Sequence, residues 1–200
     1  VTQDNVPDLE GLLAGVSEGL GYDIRPIELT EEEKQNFYYG FSNEIVWPIF
    51  HDLQTLCNFH PDYWATYLRV NDKFAEAIAR EAQADDYIWV HDYHLMAVGA
   101  ELKERGVEAP AGFFLHIPFP PLDVFLKIPW RLQILRMLLA YDLIGFQTER
   151  DRRNFLQCLE AVVPDAQIDD SLGHVTTIRL GEREVRVGAF PISIDFGEFE

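Results

Sequence analysis

The sequence predicts an α/β fold: a mostly parallel sheet with helices on both faces. Three observations predict it. Two short apolar runs rich in aromatic and branched residues, Tyr87 to Val90 and Gly112 to Ile117, flank a helical pattern of Leu95, Val98, Gly99 and Leu102, so strand, helix and strand follow within about 30 residues. The runs are near-continuous rather than alternating, as expected of parallel strands covered on two sides. A further helical pattern and a third run, Asp142 to Gln147, then repeat the arrangement.

In order, residues 1–22 are polar and glycine-rich and read as an irregular lead-in. Asp23 to Leu29 alternates Ile24, Ile27 and Leu29 and predicts a strand, with Pro26 confining it to an edge. Thr30 followed by Glu31, Glu32 and Glu33 is a helix start, a hydroxyl cap with acid at the positive end of the dipole. A second helical stretch covers Phe41 to Leu56, interrupted by Pro48. Pro61 opens a longer helix to about Ala84 with an inward stripe of Trp64, Tyr67, Leu68, Phe74, Ala75 and Ile78. Asn71 falls on that stripe and reads as a core amide satisfied by neighbouring backbone.

After the central unit, where Gly106 supplies a left-handed C-cap, Pro129 opens a helix with Leu132, Leu135, Leu138 and Leu139 inward. Thr148 and Asp151 start the next, lined by Phe155, Leu156, Leu159 and Val163 and stopped by Pro164. Val175 to Leu180 and Val185 to Phe190 flank Gly181-Glu182-Arg183-Glu184 and predict a β-hairpin near the C-terminus.

Composition narrows the function. With 48% hydrophobic and 13% aromatic residues the chain can bury a core, and a formal net charge of −18 argues against binding nucleic acid or anionic membranes. Cys57 and Cys158 have no CxxC spacing, which favours a reducing, cytoplasmic location over a disulfide or metal framework. No apolar run has the length of a membrane span, and no signal peptide is visible.

Ligands of open α/β sheets bind outside the carboxyl ends of the strands. The first central strand runs into His91-Asp92-Tyr93-His94 and the second into His116-Ile117-Pro118-Phe119-Pro120. Asp92 and His116 are therefore the first candidates. Asp92 is placed equally well to cap the following helix, and His116 to hold a turn stiffened by the prolines. His91 and His94 find no third ligand at metal spacing, so no metal and no cofactor is expected. GxSxG, GxGxxG and GxxxxGK[ST] are absent. Tyr38 and Trp47, in the aromatic stretch NFYYGFSNEIVWP, read either as core or as a pocket wall on which a sugar stacks.

The segments NFYYGFSNEIVWPIFH, YLRVN, IWVHDYHL, GFFLHIPFP and DLIGFQT resemble, in order and spacing, the trehalose-6-phosphate synthase family of retaining glycosyltransferases, over Gly19 to Asp195. The resemblance implies a Rossmann-like domain, one half of a two-domain GT-B enzyme that moves glucose from UDP-glucose to glucose-6-phosphate. It implies Tyr38 and Trp47 in the glucose-6-phosphate pocket, Asp92 on acceptor hydroxyls, and His116 beside the transferred glucose, with Asp92 and His116 the catalytic pair. The family's opening strand, with an Asn-Arg pair and a Gly-Gly loop, has no counterpart in Val1 to Leu20, and a donor-binding half does not follow before Glu200. Residues 1–200 are thus expected to be a single, incomplete acceptor-side domain without transferase activity alone. The expected partners are glucose-6-phosphate and a nucleotide-glucose donor; self-association stays open. The alternatives are a glucosylglycerol-phosphate synthase and a non-catalytic regulatory subunit.

Overall fold

In a computed structural model of the chain, which describes residues 9–171 and 173–193, six strands form one mixed sheet. The strands are β1 (Ile88–His91), β2 (Ala111–Leu115), β3 (Leu143–Phe146), β4 (Gln167–Asp169), β5 (Val175–Leu180) and β6 (Arg183–Ala189), in the order β1-β2-β3-β6-β5-β4. β1, β2, β3 and β6 pair in parallel, and β5 runs against both β6 and β4. Only β5 therefore points the other way, and the mostly parallel sheet expected from the sequence is what forms.

Around the sheet lie α1 (Leu9–Leu20), α2 (Glu31–Glu33), α3 (Trp47–Phe50), α4 (Pro61–Glu81), α5 (Val98–Glu104), α6 (Leu122–Phe125), α7 (Arg131–Leu138) and α8 (Glu149–Val162). A π-helix, Lys34–Val46, joins α2 to α3 without a break. Its buried residues include Phe37, Phe41, Ile45 and Val46. Pro48 does not end this run. It falls in the first turn of α3, where a missing N–H is tolerated, and the nearby Glu44 carbonyl accepts the Asn58 N–H at 3.1 Å. The helix stops at Phe50, short of the expected Leu56, and a separate 3-10 turn covers Gln54–Leu56.

Other expectations are corrected. Over 9–20 the lead-in is helix α1, consistent with Leu9, Leu12, Leu13, Val16 and Leu20 at helical spacing; 1–8 lie outside the described residues. Asp23 to Leu29 forms no strand. It is tied to α4 by Arg25 Nε to Glu81 Oε1 (2.7 Å) and Lys73 Nζ to the Glu28 carbonyl (3.4 Å), so it lies along a helix rather than on a strand edge. α4 ends at Glu81, and Leu132 is 40% exposed while Ile134 and Met137 take the inward positions of α7. The hairpin turn is only Gly181-Glu182, so β6 begins two residues early, at Arg183. Gly181 has the φ of +61° that such a turn favours.

The core joins the sheet to its helices. Phe119, just beyond β2, meets Phe50, Phe125, Phe146 and Phe155, with ring centroids 5.2 to 5.8 Å apart. Between α5 and β3, fully buried Tyr141 accepts the Gly99 N–H (2.9 Å) and donates to the Leu95 carbonyl (3.0 Å). A β-carbon on Gly99 would lie 2.7 Å from the Tyr141 ring. Gly99→Ala should therefore displace the hydroxyl from its two backbone partners and lower the free energy of unfolding by about 1–3 kcal/mol, read from urea denaturation.

Candidate active site at the carboxyl ends of β1 and β2

β1 delivers Asp92. Its N–H continues the ladder to the Phe114 carbonyl (2.8 Å), after which the backbone takes φ 69°, ψ 167°. That region belongs to glycine, and an aspartate there costs about 1–3 kcal/mol unless its surroundings impose it. The carboxylate does not cap the following 3-10 turn, Tyr93–Leu95. Instead Oδ1 accepts the His116 N–H at 3.3 Å. Of the two roles left open by the sequence, helix cap and cleft carboxylate, the side chain's position fits the second. Asp92 and His116 thus leave neighbouring parallel strands side by side, and His116 is exposed.

α4 imposes the strained turn. Tyr67, fully buried, donates its hydroxyl to the Tyr93 carbonyl (2.9 Å) and accepts the Met96 N–H (3.0 Å). Asn71, also fully buried, donates to the Tyr67 and His94 carbonyls (2.9 and 3.1 Å) and accepts the Ala97 N–H (3.1 Å). Asn71 is the satisfied core amide that the sequence suggested, and its partners are the backbone of the site. Tyr67 stood in the expected stripe as a hydrophobe; its hydroxyl's role has no sequence signal.

Tyr38 joins this cluster from the π-helix. Its ring stacks on His94 (centroids 5.4 Å apart, interplanar angle 12°), and its carbonyl accepts from Asn43 Nδ2 at 2.8 Å. Asn43 Oδ1 in turn accepts the Tyr93 hydroxyl at 3.1 Å. Burial, with smaller contributions from Asp92 and Tyr38, pushes the Tyr93 phenol up to about 12, so it stays a donor at neutral pH. Burial holds His94 below the ordinary histidine value, against the pull of Asp92, and its Nε2 is buried without a partner. Trp47, at the other end of the helical run, is 38% exposed and packs on His51, centroids 4.1 Å apart. Asp92 and His116 thus stand at paired strand ends, Tyr38 stacks on His94 just after β1, and Trp47 packs on His51.

The loop after β2 is pinned as firmly. Phe119 N–H donates to Asp151 Oδ1 (3.0 Å), and Asn154 Nδ2 donates to the Phe119 carbonyl (2.8 Å), both from the first turns of α8. Thr148 Oγ1 caps α8 by accepting the Asp151 N–H (3.2 Å). Asp151 thus gives Oδ1 to the loop and accepts the Thr148 hydroxyl on Oδ2 (2.6 Å). Among the described residues, no group of three or more His, Cys, Asp or Glu side chains is placed to hold a metal ion, and no helix is long and apolar enough to cross a membrane.

The mostly parallel sheet, with Asp92 and His116 at the carboxyl ends of paired strands, places the chain in the open-sheet α/β class, whose ligands bind at such ends. The sequence model of glycosyltransferase family 20 matches residues 5–200, and the chain belongs to that family. It is 39% identical over 183 residues to a trehalose-6-phosphate synthase of Mycolicibacterium smegmatis, covering 90% of this chain and 36% of that protein. It is 41% identical over 181 residues to a bifunctional trehalose-6-phosphate synthase/phosphatase of Thermoproteus tenax, covering 90% of this chain and 24% of that protein. The chain therefore spans about a third or less of the length of these curated relatives. Among solved structures, it resembles an α,α-trehalose-phosphate synthase (UDP-forming) from Burkholderia xenovorans in complex with glucose-6-phosphate (TM-score 0.77, 36% identity, 83% of this chain and 36% of that one). It also resembles an E. coli structure described as trehalose-6-phosphate bound with UDP-2-fluoro glucose (TM-score 0.79, 32% identity, 98% and 49%).

The backbone of Asp92 yields a test. Asp92→Gly and Asp92→Ala both remove the carboxylate, but only glycine relaxes at this φ. The glycine variant should be the more stable by about 1 kcal/mol or more, reversing the usual preference for alanine. Equal melting midpoints for the two would show the turn to be unstrained.

Proposed function

We propose that the chain is the acceptor-side half of a retaining glycosyltransferase that transfers glucose from UDP-glucose to glucose-6-phosphate, giving trehalose-6-phosphate. The observation that carries this reading is the adjacency of Asp92 and His116 at the ends of paired strands, joined by the His116 N–H to Asp92 Oδ1. The names of the relatives, and the glucose-6-phosphate and UDP-2-fluoro glucose of the two structures above, support the choice of substrates.

In this reading Asp92 accepts hydrogen bonds from the hydroxyls of the acceptor sugar, Tyr38 and Trp47 wall its pocket, and His116 lies against the transferred glucose. The acceptor hydroxyl attacks the anomeric carbon on the face from which the nucleotide leaves. The new C–O bond forms as the bond to the β-phosphate breaks, and the departing phosphate oxygen takes the acceptor's proton. No side-chain nucleophile is needed. The domain contributes position and oriented dipoles, which work because the turn after β1 and the loop after β2 are held before substrate arrives. Cationic groups for two phosphorylated substrates are then the task of the rest of the full-length protein, since this segment carries a formal net charge of −18. A cytoplasmic location goes with this reading and is supported by the free thiols of Cys57 and Cys158.

The test uses the full-length protein and this chain in parallel. Asp92→Ala or His116→Ala in the full-length protein should each lower kcat/KM by about 100-fold or more with glucose-6-phosphate as acceptor. The 200-residue chain should release no UDP from UDP-glucose. Undiminished turnover in both variants would remove the assignment of the pair, turnover by the isolated chain would overturn the half-enzyme reading, and preference for glycerol-3-phosphate would replace the acceptor.

A further inference from the structure

His91 has so far no part in the reaction, yet it makes the closest side-chain contact to His116. It is the last residue of β1 and lies opposite Phe114 in the parallel register; its Nδ1 is 2.9 Å from His116 Nε2. The two rings are nearly parallel, 21° apart with centroids separated by 5.2 Å. Aromatic neighbours hold the pair from either side, Trp89 against His91 (4.4 Å) and Phe114 against His116 (4.7 Å).

A neutral imidazole has one N–H and one bare nitrogen. Two ring nitrogens at 2.9 Å therefore need one donor and one acceptor, so neither histidine chooses its tautomer alone. The contact uses Nε2 of His116, while Nδ1 of His116 hydrogen-bonds to nothing among the described residues. What that free nitrogen offers a ligand is decided by His91. If His91 donates, His116 keeps its proton on Nδ1 and presents a donor; if His91 accepts, His116 presents only a lone pair. Hydroxyl oxygens and phosphate oxygens accept, and phosphates accept only. The donor form is the one matched to both substrates.

We propose that His91 is a positioning residue whose Nδ1–H donates to His116 Nε2, locking the His116 ring and leaving its Nδ1–H directed at an oxygen of the sugar phosphate or sugar nucleotide. The proposal rests on the assignment of His116 given above. The charged and titratable groups facing His91 are His116, from the end of β2, and Asp92, from its own strand end. Burial first, and His116 second, hold His91 below the ordinary histidine value against the opposing pull of Asp92, which favours the neutral form of His91 at pH 7 and above.

The tautomer can be read without turnover, by long-range proton–nitrogen correlation spectra of the imidazoles in the 15N-labelled 200-residue chain at pH 8. The wild-type chain should show His116 protonated on Nδ1 and His91 on Nδ1. His91→Phe keeps an aromatic ring beside Trp89 but removes the donor, and should move the His116 tautomer ratio about tenfold towards Nε2–H. His91→Asn, whose amide can place an N–H near the old Nδ1, should restore the wild-type form. In the full-length protein His91→Phe should lower kcat with glucose-6-phosphate about tenfold, and His91→Asn should recover most of it. A wild-type spectrum with the His116 proton on Nε2 would overturn the proposal even if the Phe variant fails to fold, and so would an unchanged tautomer in His91→Phe. The assignment of His116 is tested separately, by turnover of His116→Ala, so the two failures are distinguishable.

Discussion

The grip of Tyr67 and Asn71 on the turn after β1 is the constraint on which the site depends. Asp92 occupies backbone space that suits glycine, and such a conformation persists only where the surroundings determine it from several directions. Here the Asp92 N–H is committed to β2, and the Tyr93 and His94 carbonyls and the Met96 and Ala97 N–H groups are committed to two fully buried side chains of α4. Relaxing the aspartate would leave several of these backbone groups without partners in the interior. Each such loss costs about 1–3 kcal/mol, as much as the strain itself, so the strained form is the stable one.

The same logic governs the second strand end, with different materials. Prolines on both sides of Phe119 narrow the backbone, the Phe119 ring is buried in an aromatic cluster, and Asp151 and Asn154 bind its N–H and carbonyl. His116 is then exposed on a stem that cannot swing. Two rigid exits from adjacent parallel strands set the separation of Asp92 and His116 through the ladder itself, since the Asp92 N–H pairs with the Phe114 carbonyl two residues before His116. The transfer proposed above, in which protein groups orient substrates and supply no nucleophile, needs that kind of fixity.

Aromatic packing gives the site its electrical character. Burial keeps His94 and His91 below the ordinary histidine range and Tyr93 above the ordinary phenol range, in each case by penalising the charged form. His91, His94 and Tyr93 are therefore biased towards their neutral forms. This suits binding of sugar hydroxyls, for which direction matters more than net charge.

Much of this was legible in the chain's residues. Apolar runs with a helix between them identified the parallel strands, the polar residues after each run marked the candidate site, and the motifs around Tyr38, Asp92 and His116 pointed to the family. The failures have physical causes. Asp23 to Leu29 has the alternation of a strand but is bound by α4 side chains, and a strand exists only where a neighbour supplies a ladder. Pro48 falls in the first turn of α3, where a missing N–H is tolerated, and so the helical run continues through it. By itself the sequence determined the central strands and helices, the residue types at the strand ends and the family, because periodicity and motif spacing are local along the chain. Tertiary structure alone decided the glycine-like backbone of Asp92, the hydroxyl of Tyr67 beneath it and the contact between His91 and His116. Those depend on groups 25 or 26 positions apart meeting at 2.9 Å, a distance that only the packed sheet and α4 can set.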